Sequence, residues 1–323
     1  MEVVAVDIGG THARFAVAEV AEGRVVSMAE PVTQKVAEHP SLQLAWQAFG
    51  ETLGRPLPKA AAIAVASPVG GEVIKLTNNP WIIRPGQIHE KLGIDHSLLV
   101  NDFGAIGHAV AQMGPEHLRH LCGREHALSE NEIISIVGPG TGLGVAQVLR
   151  RQGGNMVIEC EGGHIDFAPL DTLEDAMLAR LRQRFRRVSV ERIVSGPGLA
   201  VIHEALTAIE GRAIQRIDDK SLWTLALEGS DSLAAAALDR FCMSLGSVTG
   251  DIALAQGATA VVIAGGVGLR LADRLPRSGF AERFVAKGRF ETMMAAIPVK
   301  LLTHPQPGLL GAAAAFAEKH QIG

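Results

Sequence analysis

The chain has 323 residues, of which 47% are hydrophobic and 20% are charged. This balance excludes an intrinsically disordered protein and is sufficient for two domains of ~150 residues each. The formal net charge of −4 argues against a polycationic surface, so we expect no nucleic-acid or membrane partner. Glycine is abundant, at 36 residues, and tyrosine is absent. This composition favours an α/β protein whose cores are packed with small aliphatic side chains.

The N-terminal segment and the cysteines bear on cellular location. Glu2 and Asp7 stand where a secretory signal peptide would carry positive charge, and apolar runs such as 60–66 and 258–264 are too short to span a membrane. The three cysteines are odd in number and none are paired at C-x-x-C spacing. That pattern argues against a disulfide framework and a structural zinc site. We therefore expect a cytoplasmic protein.

Predicted elements in the first third of the chain alternate between strands and helices. Hydrophobic patterning and turn residues predict strands at 2–8, 13–20 and 24–29, a helix capped by Ser41, and strands at 60–66 and 97–100. The last of these strands ends at Asn101-Asp102, and a helix is predicted at 103–112. The segment 113–129 has no clear periodicity and is the best candidate for a domain boundary.

The opening pattern of strand, glycine loop and strand returns in the second half. It predicts an internal duplication of topology. The predicted elements are strands at 133–137 and 145–150, helices through most of 172–257 with the longest at 232–256, strands at 259–264 and 297–303, and a terminal helix at 308–319. Strands alternating with helices predict two α/β lobes with a cleft between them.

Three glycine loops follow predicted strands, and together they indicate phosphate binding. They contain Gly9-Gly10-Thr11, Gly138 to Gly144, and Gly265-Gly266. Without a Cβ, glycine lets backbone N–H groups converge on an anion, and in open α/β sheets such loops line the ligand site. Any single loop could simply turn the chain. The spacing fits neither the Walker loop nor the dinucleotide fingerprint, and the HRD and DFG motifs of protein kinases are missing.

These loops resemble the phosphate 1, phosphate 2 and adenosine motifs of the actin, sugar-kinase and heat-shock-chaperone ATPase superfamily. Further segments narrow the resemblance to bacterial glucokinases of the proteobacterial type: Asn101-Asp102-Phe103, 161–169 (EGGHIDFAP), 191–199 (ERIVSGPGL) and 307–311 (PGLLG). The resemblance runs nearly from end to end. It implies two actin-like (ribonuclease H-like) α/β lobes around an interlobe cleft, a small lobe of residues 1–110 plus 301–323 and a large lobe of residues 111–300.

The resemblance implies ATP-dependent phosphorylation of glucose to glucose 6-phosphate, with Mg²⁺ carried by ATP and a homodimeric assembly. The nucleotide-binding residues that it implies are Val6, Asp7, Ile8, Gly9, Gly10, Thr11, Gly138, Gly140, Thr141, Gly142, Gly265 and Gly266. It assigns no direct metal ligand. Asp7 could hold Mg²⁺ through water or serve as a structural turn acid, and the sequence leaves both open.

The resemblance also assigns a sugar site. Asp102 would be the general base, and Asn101, Glu161, His164 and Glu191 would bind the sugar hydroxyls with it. Each residue has a structural alternative. Asn101 and Asp102 could cap a helix, and Glu161 could be a surface charge. His164 could be a core histidine, and Glu191 could be a first-turn helix acid. The joint occurrence of these residues in two specific motifs favours the sugar site.

Two other functions are possible on such a fold. A non-catalytic sugar sensor would not need the base, so the presence of Asp102 disfavours it. An ATPase acting on a protein client would need a client-binding domain, for which the chain has no segment. Glucose-dependent release of ADP distinguishes these alternatives from a kinase.

An arginine cluster at 180–187 surrounds Phe185. Its members are Arg180, Arg182, Arg184, Arg186 and Arg187. A nucleic-acid patch is conceivable, but the net negative charge and the lack of a binding motif favour a solvated helix end or a subunit contact.

Overall fold

The computed structural model describes residues 1–76, 79–152 and 154–320. The chain forms two compact units. Met1–Gly114, Val157–Glu159 and His304–Gly323 form the first, and Pro115–Met156 with Cys160–Thr303 form the second. The sequence placed the lobe boundaries after residues 110 and 300. The units divide after residues 114 and 303, and no sequence pattern indicated that Val157–Glu159 joins the first unit.

The strands include every one that the sequence predicted. They are β1 Glu2–Ile8, β2 His12–Ala21, β3 Arg24–Met28, β4 Val32–Lys35, β5 Ala60–Val65, β6 Ile74–Lys75, β7 Ile82–Ile83, β8 His96–Asn101, β9 Leu118–Cys122, β10 Glu132–Pro139, β11 Leu143–Arg150, β12 Met156–Cys160, β13 Ala260–Ile263 and β14 Val299–Leu302. Five of these were missed: β4, β6, β7, β9 and β12. Strand β9 lies in the segment that had no clear periodicity.

The helices include every one that the sequence predicted, and four short ones, α2, α9, α10 and α11 in the following list, were not predicted. They are α1 Leu42–Leu53, α2 Ile88–Leu92, α3 Asp102–Gln112, α4 Thr172–Arg184, α5 Val190–Ile193, α6 Gly198–Ile209, α7 Asp219–Glu228, α8 Ser232–Gln256, α9 Gly265–Arg270, α10 Phe280–Val285, α11 Glu291–Ala296 and α12 Pro307–His320. Helix α8 matches its predicted range, and Ser41 Oγ caps α1 by accepting from Leu44 N. Within the described residues, no helix is both long enough and apolar enough to cross a bilayer.

The first unit contains a mixed sheet with the strand order β3-β2-β1-β5-β8, and β4 pairs with β2. Strand β1 is antiparallel to β2 and parallel to β5, which is in turn parallel to β8. All six residues of β5 are buried, because its sequence is entirely apolar. The parallel strands β1, β5 and β8 therefore end at one edge of the sheet, where Asp7 and Asn101 lie.

The second unit repeats this topology. Its sheet has the order β12-β11-β10-β13-β14-β9. Strand β10 is antiparallel to β11 and parallel to β13, as β1 is to β2 and β5. This repeat confirms the duplication that the sequence predicted. The parallel pairing brings the ends of β10 and β13, and with them the second and third glycine loops, to one edge.

Helix α12 closes the apolar face of the first sheet. Leu309 and Phe316 of α12 are fully buried in a cluster with Val3 and Ala5 of β1. The helix also packs on α3. A Cβ at Gly311 would collide with the carbonyl oxygen of Ala105, so the two helix backbones are in direct contact there.

This contact generates a stability prediction. We expect Gly311→Ala to lower the free energy of unfolding by about 1–3 kcal/mol, since the added methyl group meets backbone that cannot move aside without separating the helices. Gly86→Ala is the matched control, because a Cβ at Gly86 meets no atom within 4 Å. Urea denaturation of both variants measures the difference. Equal stability of the two variants would contradict the close approach.

Candidate active site

The first glycine loop connects β1 to β2 and is held by a side chain from a distant segment. Gly9 N donates to His12 O at 3.0 Å, and the side chain of Asn79 donates from Nδ2 to Gly9 O at 2.8 Å. Asn79 is buried and accepts from Trp81 N at 2.9 Å. Asn79 was not predicted from the sequence, because nothing in its own segment links it to the loop.

The other predicted nucleotide ligands of this segment differ in exposure. The side chains of Val6 and Ile8 are buried in the core of the first unit, so a ligand could reach only their backbone. Gly10 is half-buried, and Thr11 is exposed at the turn. Thr11 is therefore accessible, and it follows a loop backbone that is held by the two hydrogen bonds of Gly9.

Asp7, near the end of β1, lies close to β2 and to the start of α12. Its Oδ2 is 3.4 Å from Nη1 of Arg14, its cross-strand partner, and its side chain is 23% exposed. Burial raises the pKa of Asp7 above its usual value, and the nearby Arg14 opposes this rise. A Cβ at Gly308 would lie 2.8 Å from Asp7 Cγ. The PGLLG motif thus lets the start of α12 approach the carboxylate, where the helix dipole favours an anion.

The second and third glycine loops meet within the second unit. Gly140 N donates to Gly142 O at 2.8 Å, and Gly196 N donates to Gly140 O at 2.7 Å. At the start of the third loop, Ala264 N donates to Val137 O at 2.9 Å. Three predicted motifs therefore contact one another here: the two loops and the segment SGPGL.

Within these two loops, the accessible positions are few. Thr141 and Gly266 are exposed, Gly140, Gly142 and Gly265 are half-buried, and Gly138 is buried. The exposed Thr141 hydroxyl repeats the arrangement of Thr11 in the first loop. This arrangement suits an anionic ligand bound by backbone N–H and hydroxyl donors.

Asn101 and Asp102 form the start of α3. Asn101 is the N-cap, and its Oδ1 accepts from Phe103 N at 2.9 Å and Gly104 N at 3.2 Å. Asp102 is the first helical residue, and its Oδ1 also accepts from Phe103 N, at 3.0 Å. The capping alternative is therefore present in the structure. The Asp102 carboxylate therefore lies at the N-terminal end of α3, where the helix dipole is positive.

A second carboxylate, from Glu159, lies at the same helix start. Glu159 Oε1 accepts from Asn101 N at 3.1 Å. A Cβ at Gly104 would collide with the Glu159 carboxylate, so glycine is required for this approach. Glu159 was not predicted from the sequence, although it stands only two residues before Glu161.

Glu161 and His164 lie together on the turn after β12. Residues Gly162–His164 form one 3-10 turn, and His164 Nε2 is 3.8 Å from Glu161 Oε2. The side chains are 69% exposed for Glu161 and 57% exposed for His164. His164 is therefore not a core histidine, which was the alternative on the sequence alone.

Glu191 contacts the second glycine loop. It lies in α5, and its Oε2 accepts from Leu143 N at 2.9 Å. A Cβ at Gly142 would collide with the same carboxylate oxygen. No pattern in the sequence indicated this bond, which links the ERIVSGPGL segment to the predicted phosphate loop.

Comparisons with known proteins agree with these motifs. Residues 4–319 match the family model described as Glucokinase. The chain is 67% identical over 320 residues to a glucokinase of Zymomonas mobilis, covering 99% of each chain. It is 40% identical to a glucokinase of Caulobacter vibrioides, covering 96% of this chain and 93% of the relative.

Solved structures give the same result for the fold. A glucokinase from an Antarctic psychrotroph matches with a TM-score of 0.86 at 33% identity and 98% coverage of both chains. A ROK family glucokinase from Streptomyces griseus, in complex with glucose and AMPPNP, matches with a TM-score of 0.61 at 18% identity, covering 98% of this chain and 99% of that one. At that identity the second match concerns the fold alone.

The partly buried carboxylate of Asp7 generates a pH prediction. Because its folded pKa is raised, Asp7 contributes stability that is fully present below the unfolded pKa of about 3.9 and is lost as pH rises through the folded pKa. Above both values the buried anion costs stability. We expect Asp7→Asn to raise Tm at about pH 8, and we expect this gain to shrink as pH falls.

Thermal unfolding of the wild type and of Asp7→Asn, from about pH 8 downwards, measures the difference in Tm. Glu161→Gln is the control, because that carboxylate is exposed and its neutralisation leaves no buried charge to relieve. An Asp7→Asn variant that is less stable than the wild type at about pH 8 would contradict the prediction.

Proposed function

The chain belongs to the glucokinase family, and from this premise we propose how its residues phosphorylate glucose. It is a hexose phosphotransferase with ATP and glucose as substrates. The proposal is carried by Asp102, a carboxylate fixed at the start of α3 with its Oδ1 3.0 Å from Phe103 N. Such a group is an acceptor whose position is set before the substrate arrives.

We assign Asp102 as the general base. It accepts the proton of the sugar 6-hydroxyl while that oxygen forms a bond to the γ-phosphorus of ATP. The bond from that phosphorus to the bridging oxygen breaks, and ADP leaves with the electron pair. Because the transition state of phosphoryl transfer is loose, positioning and charge stabilisation supply most of the catalysis.

We assign the remaining sugar contacts to Asn101, Glu161, His164 and Glu191. Sugar hydroxyls both donate and accept, carboxylates accept, and a neutral imidazole can do either. The exposure of Glu161 and His164 supports this role. Glu191 uses Oε2 for Leu143 N, so we assign its sugar contact to Oε1.

We assign the phosphates of ATP to the three glycine loops. Backbone N–H groups of Gly10, Thr141, Gly142, Gly265 and Gly266 would donate to phosphate oxygens. Gly9 N and Gly140 N already donate to His12 O and Gly142 O, so these two glycines would shape their loops instead. The exposure of Thr11 and Thr141 supports this assignment.

Mg²⁺ would accompany ATP as part of the substrate complex, where it neutralises phosphate charge. Asp7 fits this ion, since a partly exposed carboxylate beside the first loop can hold its hydration water. In residues 1–76, 79–152 and 154–320, no three His, Cys, Asp or Glu side chains come together as a metal site. The homodimer implied by the resemblance also remains a prediction, and light scattering of the purified protein checks it.

A coupled assay of ADP release tests the function itself. We expect release that requires both glucose and ATP. ADP release that is independent of glucose would indicate an ATPase of another kind, and no release would indicate a sugar-binding protein.

The base assignment predicts a large loss of turnover. We expect Asp102→Asn to lower kcat by roughly 10²–10⁴, because the shape is kept and the proton acceptor is removed. Asp95→Asn is the control, since Asp95 is an exposed carboxylate just before β8. Steady-state kinetics measure kcat, and calorimetry checks that glucose still binds. Wild-type kcat in the Asp102→Asn variant would overturn the assignment.

The sugar-site assignment predicts a selective loss of glucose affinity. We expect Glu161→Gln and His164→Ala to raise KM for glucose about 5- to 150-fold, because each leaves a hydroxyl unpaired. KM for ATP should change much less. The exposed Glu130 provides a control as Glu130→Gln. Equal increases in both constants would indicate a general defect in folding instead.

A further inference from the structure

One member of the arginine cluster, Arg187, contacts the segment that carries His164, which a solvated helix end would not do. Arg184 forms an ion pair with Glu204 at 2.9 Å and lies over the Phe185 ring, as the sequence interpretation allows. Arg187 instead contacts the EGGHIDFAP segment. Its Nε donates to Asp166 Oδ1 at 2.6 Å, and its Nη2 donates to His164 O at 2.6 Å.

These two bonds come from one planar guanidinium and are both short. A guanidinium presents its donors in a rigid fork, so bonding two acceptors at once fixes their relative positions. The acceptors here are a carboxylate and a backbone carbonyl on either side of Ile165. Arg187 therefore fixes the backbone that carries the His164 imidazole.

The same arginine ends a short pairing between two motif-bearing segments. Phe167 N donates to Val188 O at 3.0 Å, and Val190 N donates to Ile165 O at 2.9 Å. Glu191 follows directly after this pairing. The segment that carries His164 and the segment that carries Glu191 are thus joined by backbone bonds, and Arg187 adds the side-chain bonds nearest to His164.

We propose that Arg187 is a positioning residue for the sugar site, acting by holding the His164 carbonyl and the Asp166 carboxylate. This proposal rests on the sugar-binding role of His164 proposed above. Arg187 acts through His164 and does not itself contact glucose. Because the side chains of Arg187 and Asp166 are 59% and 73% exposed, their ion pair adds little to global stability. Its loss should alter the site more than the fold.

Three variants separate positioning from charge and from stability. Arg187→Ala removes both bonds, and Arg187→Lys keeps the charge but lacks the fork. Arg186→Ala is the matched control, since Arg186 is the exposed neighbouring arginine. We expect Arg187→Ala to raise both KM and Kd for glucose about 5- to 30-fold, with KM for ATP within about twofold of the wild type. Arg187→Lys should recover part of this loss, and Arg186→Ala should behave as the wild type.

Kinetics, glucose calorimetry and Tm measurements report these effects. Unchanged glucose affinity in Arg187→Ala would overturn the proposal. Equal increases in KM for glucose and ATP, with a lower Tm, would also overturn it, since they indicate a structural role. If Arg187→Ala does not fold, Asp166→Asn replaces it. That variant weakens one bond of the pair and should raise KM for glucose by a smaller factor, and wild-type affinity there would count against the proposal.

A double-mutant cycle with His164→Ala tests the route of the effect. If Arg187 acts through His164, the double variant should bind glucose about as weakly as His164→Ala alone. Additive losses would overturn that route. The cycle also separates the two proposals. Unchanged affinity in His164→Ala would refute the sugar role of His164, whereas a loss there without a loss in Arg187→Ala would refute only the positioning role.

Discussion

Parallel strand pairing is the constraint on which the site depends. In the first sheet, the pairing of β1 with β5 and of β5 with β8 places Asp7 and Asn101 at a common edge. In the second, the pairing of β10 with β13 does the same for two glycine loops. Parallel strands leave their carboxyl ends together, so residues far apart in sequence come to the same edge of a sheet without any specific contact between them. Side-chain bonds then refine positions that the sheet has already set.

Glycine also shapes the site, because it lets other groups come close to the backbone. Gly308 admits the Asp7 carboxylate to the start of α12, Gly104 admits Glu159 to the start of α3, and Gly142 admits Glu191 to the second loop. In each case a carboxylate lies where a Cβ would otherwise be. A glycine-rich sequence thus does more here than turn the chain, since it makes room for charged groups beside backbone donors.

The sequence was sufficient to predict an element where the pattern that identifies it lies within the element itself. The apolar run of β5, the N-cap of α1 and the full span of α8 follow from periodicity and capping residues. The same holds for Asn101-Asp102 at the junction of β8 and α3. The edge strand β9 was missed because its alternation is imperfect and its partner, β14, lies far along the chain.

The sequence did not identify residues whose role depends on a contact with a distant part of the chain. Asn79 matters through Gly9, Glu159 through Asn101, and Arg187 through His164. None of these three side chains stands in a recognisable motif. The arginine cluster was interpreted from the chain's net charge of −4 and the lack of a binding motif. Neither observation distinguishes Arg187, whose bond to His164 O forms only on folding.

The discontinuity of the first unit has a consequence for how the protein is made. Its apolar sheet face is covered by α12, which the ribosome delivers only after the whole second unit has been synthesised. The buried alanines and valines of β1, β2 and β5 therefore stay uncovered during translation, while the second unit can already fold. Nascent chains stalled before α12 should accordingly be the species that aggregates or recruits chaperones, and supplying the C-terminal helix as a separate peptide would be the means of rescue.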